Sequence, residues 1–157
     1  METTIHNTKV KMVGDELYSF IKRGKTPERR WFHLKGTINP QTGYRHVIVN
    51  GRYTSVHRLV YKLHNPDWDI YDNSTSNYID HKDRNKLNNN IENLRVLTHQ
   101  QNQWNRKCKG YYWRPKEKKY QAQIKVDARI KYLGFFEKEE DAANAYLEAK
   151  KIYHHIE

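Results

Sequence analysis

Apolar positions in the first half of the chain come in bursts of two to five, separated by polar or basic residues, and such bursts are too short for helices. Leu17-Tyr18-Ser19-Phe20-Ile21 alternates weakly, Arg30-Trp31-Phe32-His33-Leu34 follows a basic connector, and Tyr44-Arg45-His46-Val47-Ile48-Val49 runs into Asn50-Gly51. Asn-Gly between two β-prone runs is a strong hairpin signal, because both turn residues need positive φ, so the segment at 44–49 is expected to pair with Arg52-Tyr53-Thr54. The period then changes. Val56, Leu59, Val60 and Leu63 fall at i, i+3, i+4 and i+7, which predicts a short amphipathic helix with Ser55 as its cap and Pro66 beyond its end. Tyr78-Ile79-Asp80-His81 reads as a brief strand. The Asn-rich run from Asp83 to Asn93 is read as an ordered loop anchored by Leu87, Ile91 and Leu94, with a second strand at Leu94–Leu97. Thr98-His99-Gln100-Gln101 has the spacing of a capping box, so a helix should start there with Asn102 in its first turn.

Beyond a short basic stretch, Arg106-Lys107-Cys108-Lys109, closed by Gly110, the pattern is different. Tyr111–Arg114, Tyr120–Val126 and Ile130–Phe136 read as three strands joined by polar turns. A final helix from about Glu139 to Tyr153 puts Ala142, Ala145, Tyr146, Ala149, Ile152 and Tyr153 on one face, with acids in its first turn and Lys150 and Lys151 in its last. The expected class is α+β: residues 1–105 form one domain with a strand-rich N-terminal region, 106–109 link, and 110–157 form a three-stranded antiparallel sheet backed by one helix.

Composition narrows the partners. The 157 residues include 29 Lys and Arg against 18 Asp and Glu, a net charge of +11, with hydrophobic residues at 36% but aromatics at 13%. So aromatic a chain folds, and so basic a chain calls for an anionic partner, of which nucleic acid is the commonest. One cysteine, Cys108, allows neither an internal disulfide nor a cysteine-rich zinc cage and suits a reducing, intracellular setting. No apolar run is long enough to span a bilayer, so no membrane partner is expected. Charge is also uneven in the last third. Residues 106–135 hold ten Lys or Arg against two acids, whereas 136–157 hold three against six, so the basic side is the sheet.

Cleaving a phosphodiester requires a divalent ion held by oxygen ligands beside the phosphate and a base that can take a proton from water near neutral pH. Histidine, titrating at roughly 6.5, suits that base. Asp80 and His81 are adjacent on one strand, so their side chains point to opposite faces unless they lie at its end. Asn102, in the first turn of the following helix, could add an amide oxygen.

The run His57-Arg58-Leu59-Val60, the stretch Asp80-His81-Lys82-Asp83-Arg84-Asn85-Lys86-Leu87-Asn88-Asn89-Asn90-Ile91-Glu92-Asn93-Leu94-Arg95, and Thr98 to Asn102 together resemble the HNH nucleases, in particular the phage and intron-encoded homing endonucleases. The resemblance covers about residues 44–105. It implies a ββα-metal fold, with His81 as the general base, Asp80 and Asn102 as the metal ligands, and Asn93 at the middle catalytic position pinning the loop through backbone hydrogen bonds. The third position is Asn102 where many relatives have His. One carboxylate and one amide favour weakly held Mg²⁺ or Mn²⁺ over Zn²⁺. His57 and Arg58 open an amphipathic helix and read as packing or, for Arg58, as a phosphate contact.

Trp113-Arg114-Pro115, Tyr120-Gln121-Ala122-Gln123-Ile124, Tyr132-Leu133-Gly134-Phe135-Phe136 and Glu139-Glu140-Asp141-Ala142-Ala143-Asn144-Ala145-Tyr146 are similar to the DNA-binding domain of plant ethylene-response factors (the Apetala type). That resemblance implies a sheet lying in the major groove. If Ala122, Ile124 and Val126 face the helix, then Gln121, Gln123 and Lys125 face outward, joined by Tyr112, Arg114 and Tyr132 on the neighbouring strands and by Lys116 and Lys119 at the turn. Arg and Gln can read purine edges, whereas Lys mostly meets phosphate.

The expected function is metal-dependent, site-specific cleavage of double-stranded DNA. Two other readings stand beside it: a DNA-binding regulator with a vestigial nuclease site, which shares the basic sheet, and an RNA-binding protein, which rests on the many exposed aromatics. Nothing in the sequence marks a dimer interface, which slightly favours a monomer; one active site makes one cut, so a monomer would nick and a dimer could break both strands.

Overall fold

Tight turns dictate the fold of the N-terminal third. In the computed structural model, which describes every residue except Thr26 and Glu157, His6 and Asn7 take positive φ (49° and 60°) between β1 (Glu2–Ile5) and β2 (Thr8–Val13), and Gly14 does so before β3 (Glu16–Ile21). With β4 (Arg30–His33) these form an antiparallel sheet in the order β1-β2-β3-β4. The first two strands lie ahead of the earliest strand that the pattern of apolar residues suggests. Their apolar residues are few, Ile5 in β1 and Val10 between Lys9 and Lys11 ahead of Met12-Val13 in β2, because one sheet face is solvated and only the other is buried.

The expected hairpin is present. β5 (Thr37–Ile38), β6 (Arg45–Val49) and β7 (Arg52–Ser55) form a second antiparallel sheet, with Val49 opposite Arg52 and both Asn50 and Gly51 at positive φ. Helix α1 (Val56–His64) follows at once. Ser55 occupies its N-cap, but its side chain makes no capping hydrogen bond, so the helix is held by its apolar stripe instead. Leu59, Val60 and Leu63 pack into one core with Ile5, Val10, Leu17, Val47 and Val49. A two-stranded ribbon, β8 (Tyr78–His81) and β9 (Leu94–Leu97), adds Ile79 and Leu94 to that core.

The chain divides into two units, Met1–His99 and Gln100–Glu157. The division falls ahead of the basic 106–109 stretch. The reason is visible in α2 (His99–Asn105), which starts directly after Thr98: Gln100 Nε2 donates to Asp127 Oδ1 at 3.0 Å, and Trp104 stacks on His154 at 4.8 Å.

Within the second unit, β10 (Tyr111–Arg114), β11 (Lys119–Val126) and β12 (Arg129–Phe136) form an antiparallel sheet in sequence order, with α3 (Glu139–Tyr153) packed on it. Ala142, Tyr146 and Ala149 are the buried stripe of α3. Ile152, expected on the same face, is 61% exposed. Gly110 (φ 71°) lies against the Tyr146 ring so closely that a Cβ there would overlap it. Burial, with Cys108 alongside, pushes the Tyr146 hydroxyl up to about 12. No helix among the described residues is long and apolar enough to cross a membrane.

Candidate active site

The Asn-rich loop between β8 and β9 is built by its own side chains. Asn93, buried at the end of a 3₁₀ turn (Ile91–Asn93), accepts from the Asp83 backbone N–H at 3.0 Å and donates to Asp83 Oδ1 at 2.9 Å and to the Asn88 carbonyl at 2.8 Å. Its own carbonyl accepts from Lys82 N–H at 2.9 Å, which closes the loop on the ribbon's end. Asn85 and Asn88 bond neighbouring residues in the same way, Asn88 reaching Asp83 Oδ2 at 2.8 Å. These bonds hold the Asp83 carboxyl below its ordinary range, the bond from Asn88 contributing most. Leu87, expected as an apolar anchor, is 49% exposed. Hydrogen bonds order this loop, with Leu94 as its buried apolar end.

His81 is the last residue of β8 and is 3% exposed. Its Nε2 lies 3.1 Å from Asn89 Oδ1. An amide oxygen only accepts, so the pair puts the ring proton on Nε2 and makes Nδ1 the basic nitrogen of the neutral ring. Two further rings fix the plane: His57 meets His81 edge-on at 5.3 Å, and Tyr44 lies 5.8 Å from His81 and 4.9 Å from His57. The Lys86 ammonium sits 4.9 Å from the Tyr44 ring.

Asp80 is also buried, on the other side of the ribbon. Directly opposite it on β9 is Arg95, whose Nε and a terminal nitrogen each approach Asp80 Oδ2 to 3.0 Å. Strand alternation therefore separates the two side chains, His81 towards α1 and Asp80 towards Arg95.

Residues 54–104 match the family model HNH_3, HNH endonuclease. This stretch is an HNH endonuclease domain. It runs from the end of β7 through α1, the ribbon and nearly all of α2, and it makes the chain an enzyme of the DNA-cleaving hydrolase class. No curated protein and no solved structure matches the chain.

Within the HNH domain the structure groups residues that the sequence keeps apart. His57 is 8% exposed, and its Nδ1 is buried without a hydrogen-bond partner. Burial above all, then the neighbouring charges of His81, Arg58 and His46, pushes its pKa down to about 3. In the sequence, His57 reads as helix packing and Asn89 does not stand out within a run of three Asn. Spacing alone does not show that α1 crosses the ribbon at His81. Arg58, expected to meet phosphate, instead donates to the carbonyls of Asn77, Ile70 and Asp72 at 3.2, 2.7 and 3.2 Å and lies over the Trp68 ring, so it holds the 66–77 connector in place.

HNH nucleases generally use a divalent metal. Among the described residues no group of three or more His, Cys, Asp or Glu could hold one. The Asp80 carboxylate, engaged by Arg95, is a hard oxygen donor; Asn102, expected as the second ligand, is a half-buried residue of α2. That chemistry fits an ion that keeps most of its waters.

Outside the HNH domain, the outward face of the second unit's sheet carries a polar network. Arg114 Nε and the Tyr112 hydroxyl donate to Gln121 Oε1 at 2.7 and 2.8 Å, Gln123 Oε1 is 3.2 Å from that hydroxyl, and the Arg114 guanidinium stacks on Tyr112 at 4.5 Å. Gln121, expected to be open to solvent, is only 7% exposed, because Arg114 and Tyr112 cover it. Arg114, Lys116 and Lys125 are exposed, Tyr132 is 64% exposed, and Lys119 pairs loosely with Glu137 at 3.8 Å.

Proposed function

We propose that the chain is a site-specific endonuclease of the homing type that cuts double-stranded DNA. The HNH match, spanning the ribbon that ends in His81, carries this reading. His81 takes a proton from water through Nδ1 while the water oxygen attacks phosphorus and the bond to the 3′ oxygen breaks. Asn89 holds the reacting tautomer, and Asn93 fixes the loop that presents it. Asp80, which faces Arg95 and not His81, would hold Mg²⁺ or Mn²⁺ together with Asn102, and the ion would supply charge stabilisation at the phosphorane and the leaving oxygen when bound. Arg95, bonded to Asp80 Oδ2 through two nitrogens, orients its carboxylate.

The second unit serves as the anchor, similar to ethylene-response-factor domains in placing a three-stranded sheet in the major groove. Gln121 and Tyr112 preset Arg114 for a base edge, Gln123 lies by the Tyr112 hydroxyl with Tyr132 opposite it on β12, and Lys116, Lys119 and Lys125 meet phosphates. Incubation of supercoiled plasmid carrying a target with Mg²⁺ tests the reading. His81→Ala should lower cleavage at least a hundredfold and leave DNA binding intact; unchanged cleavage overturns the assignment. Binding by the wild type without any cutting, in either metal, would favour a regulator with a vestigial site.

A further inference from the structure

The β1–β4 sheet has a face that the HNH domain does not include. Strand alternation puts Ile5, Val10, Leu17 and Ser19 in the core, so Lys9, Lys11, Val13, Tyr18, Phe20, Trp31 and His33 project from the opposite face, where none of them is buried. On β3 and β4 the rings form a two-by-two block. Tyr18 stands opposite His33 with centroids at 5.4 Å, and Phe20 opposite Trp31 at 5.1 Å. The Lys11 ammonium lies 4.4 Å from the Trp31 ring and 5.9 Å from the Tyr18 ring. Glu16 and Glu2, the acids of this face, are engaged by the Tyr18 hydroxyl at 2.6 Å and by Lys9 at 3.3 Å.

Four half-exposed or exposed rings on one sheet face, with an ammonium among them, exceed what a solvated sheet requires. Charge complementarity selects the occupant: besides Lys11 on the face itself, the segments flanking β4 carry the exposed bases Lys22, Lys25, Arg29 and Lys35 against one acid, Glu28, while Arg30 and the Arg23 over Phe32 belong to the opposite face. Ring spacing selects its form. Rings two residues apart on a strand stand about 7 Å apart, whereas duplex bases are about 3.4 Å apart along each strand with their faces covered. Only unstacked bases can interleave with such rings.

We propose that this face of the β1–β4 sheet binds single-stranded nucleic acid, stacking bases on Trp31, Phe20 and Tyr18 and pairing Lys11 with the phosphate chain. A strand freed from a duplex or a transcript offers the same chemistry. The test uses the full chain with fluorescein-labelled 12-nucleotide oligo(dT) and oligo(rU), read by anisotropy in EDTA, so the result does not depend on whether His81 cuts. Trp31→Ala should weaken binding about tenfold or more. Lys11→Glu, at a half-exposed position, should weaken it several-fold and make the loss with salt shallower, by about 0.7 in the logarithmic slope. Stronger binding of oligo(dT) or of oligo(rU) identifies which strand the face accepts. Wild-type affinity in both variants overturns the proposal, as does a loss confined to a duplex of the same length, which would make the face a duplex contact.

Discussion

A neutral, buried imidazole beside the proposed base is the feature with the clearest thermodynamic consequence. His57 holds its pKa at about 3 in the folded chain, whereas an unfolded histidine titrates at roughly 6.5. Between those values the unfolded state binds the extra proton, so stability rises with pH. It is complete above about 6.5 and falls by up to about 1.4 kcal/mol per pH unit as the pH drops towards 3. Urea unfolding at pH 7, 6, 5 and 4 should show this slope, and His57→Phe should flatten it. An unchanged acid limb in that variant would place the slope elsewhere. The same substitution keeps a ring against His81 and Tyr44, so any loss of cleavage at pH 7.5 would report on the imidazole itself.

At the scale of elements, the loop from Asp83 to Asn93 shows how polar side chains can do what an apolar core does elsewhere. Asn93 is buried, and its two side-chain atoms hold both ends of the loop. Asn93→Ala leaves the Asp83 N–H and the Asn88 carbonyl without their partner and should cost about 2 kcal/mol. Cleavage should fall together with protection of the 82–93 amides from hydrogen exchange. Full cleavage with the loop unprotected would remove loop order from the mechanism. The length and ends of this element are readable from Asp80-His81 and Leu94-Arg95, and the resemblance to HNH nucleases names Asn93 as its pin. The remaining Asn residues were not separable by sequence, since any of them could have bonded the backbone. β1 and β2 are illegible for a related reason: with one face solvated, Glu2–Ile5 and Thr8–Val13 hold too few apolar residues to alternate.

For the whole molecule, the excess of 29 basic over 18 acidic residues predicts DNA affinity that falls steeply with salt. The logarithm of the binding constant for a target duplex should decline linearly with the logarithm of salt concentration. Lys125→Ala, on the outward face of the second unit's sheet, should reduce that slope by about 0.9 if its ammonium meets a phosphate. An unchanged slope would take Lys125 out of the contact. The sequence by itself determined the α+β class, the Asn50-Gly51 hairpin, the ribbon from Asp80 to Leu97 and the sheet-plus-helix end. It did so because each depends on residues within a few positions of one another, through turn chemistry or alternation. Only the tertiary structure set His57 and Tyr44 against His81, matched Arg95 to Asp80, turned Arg58 inward to the 66–77 connector, and covered Gln121 with Arg114 and Tyr112. Those pairings join residues on separate elements, and which side chains meet there depends on strand register and helix placement, which local patterns do not encode.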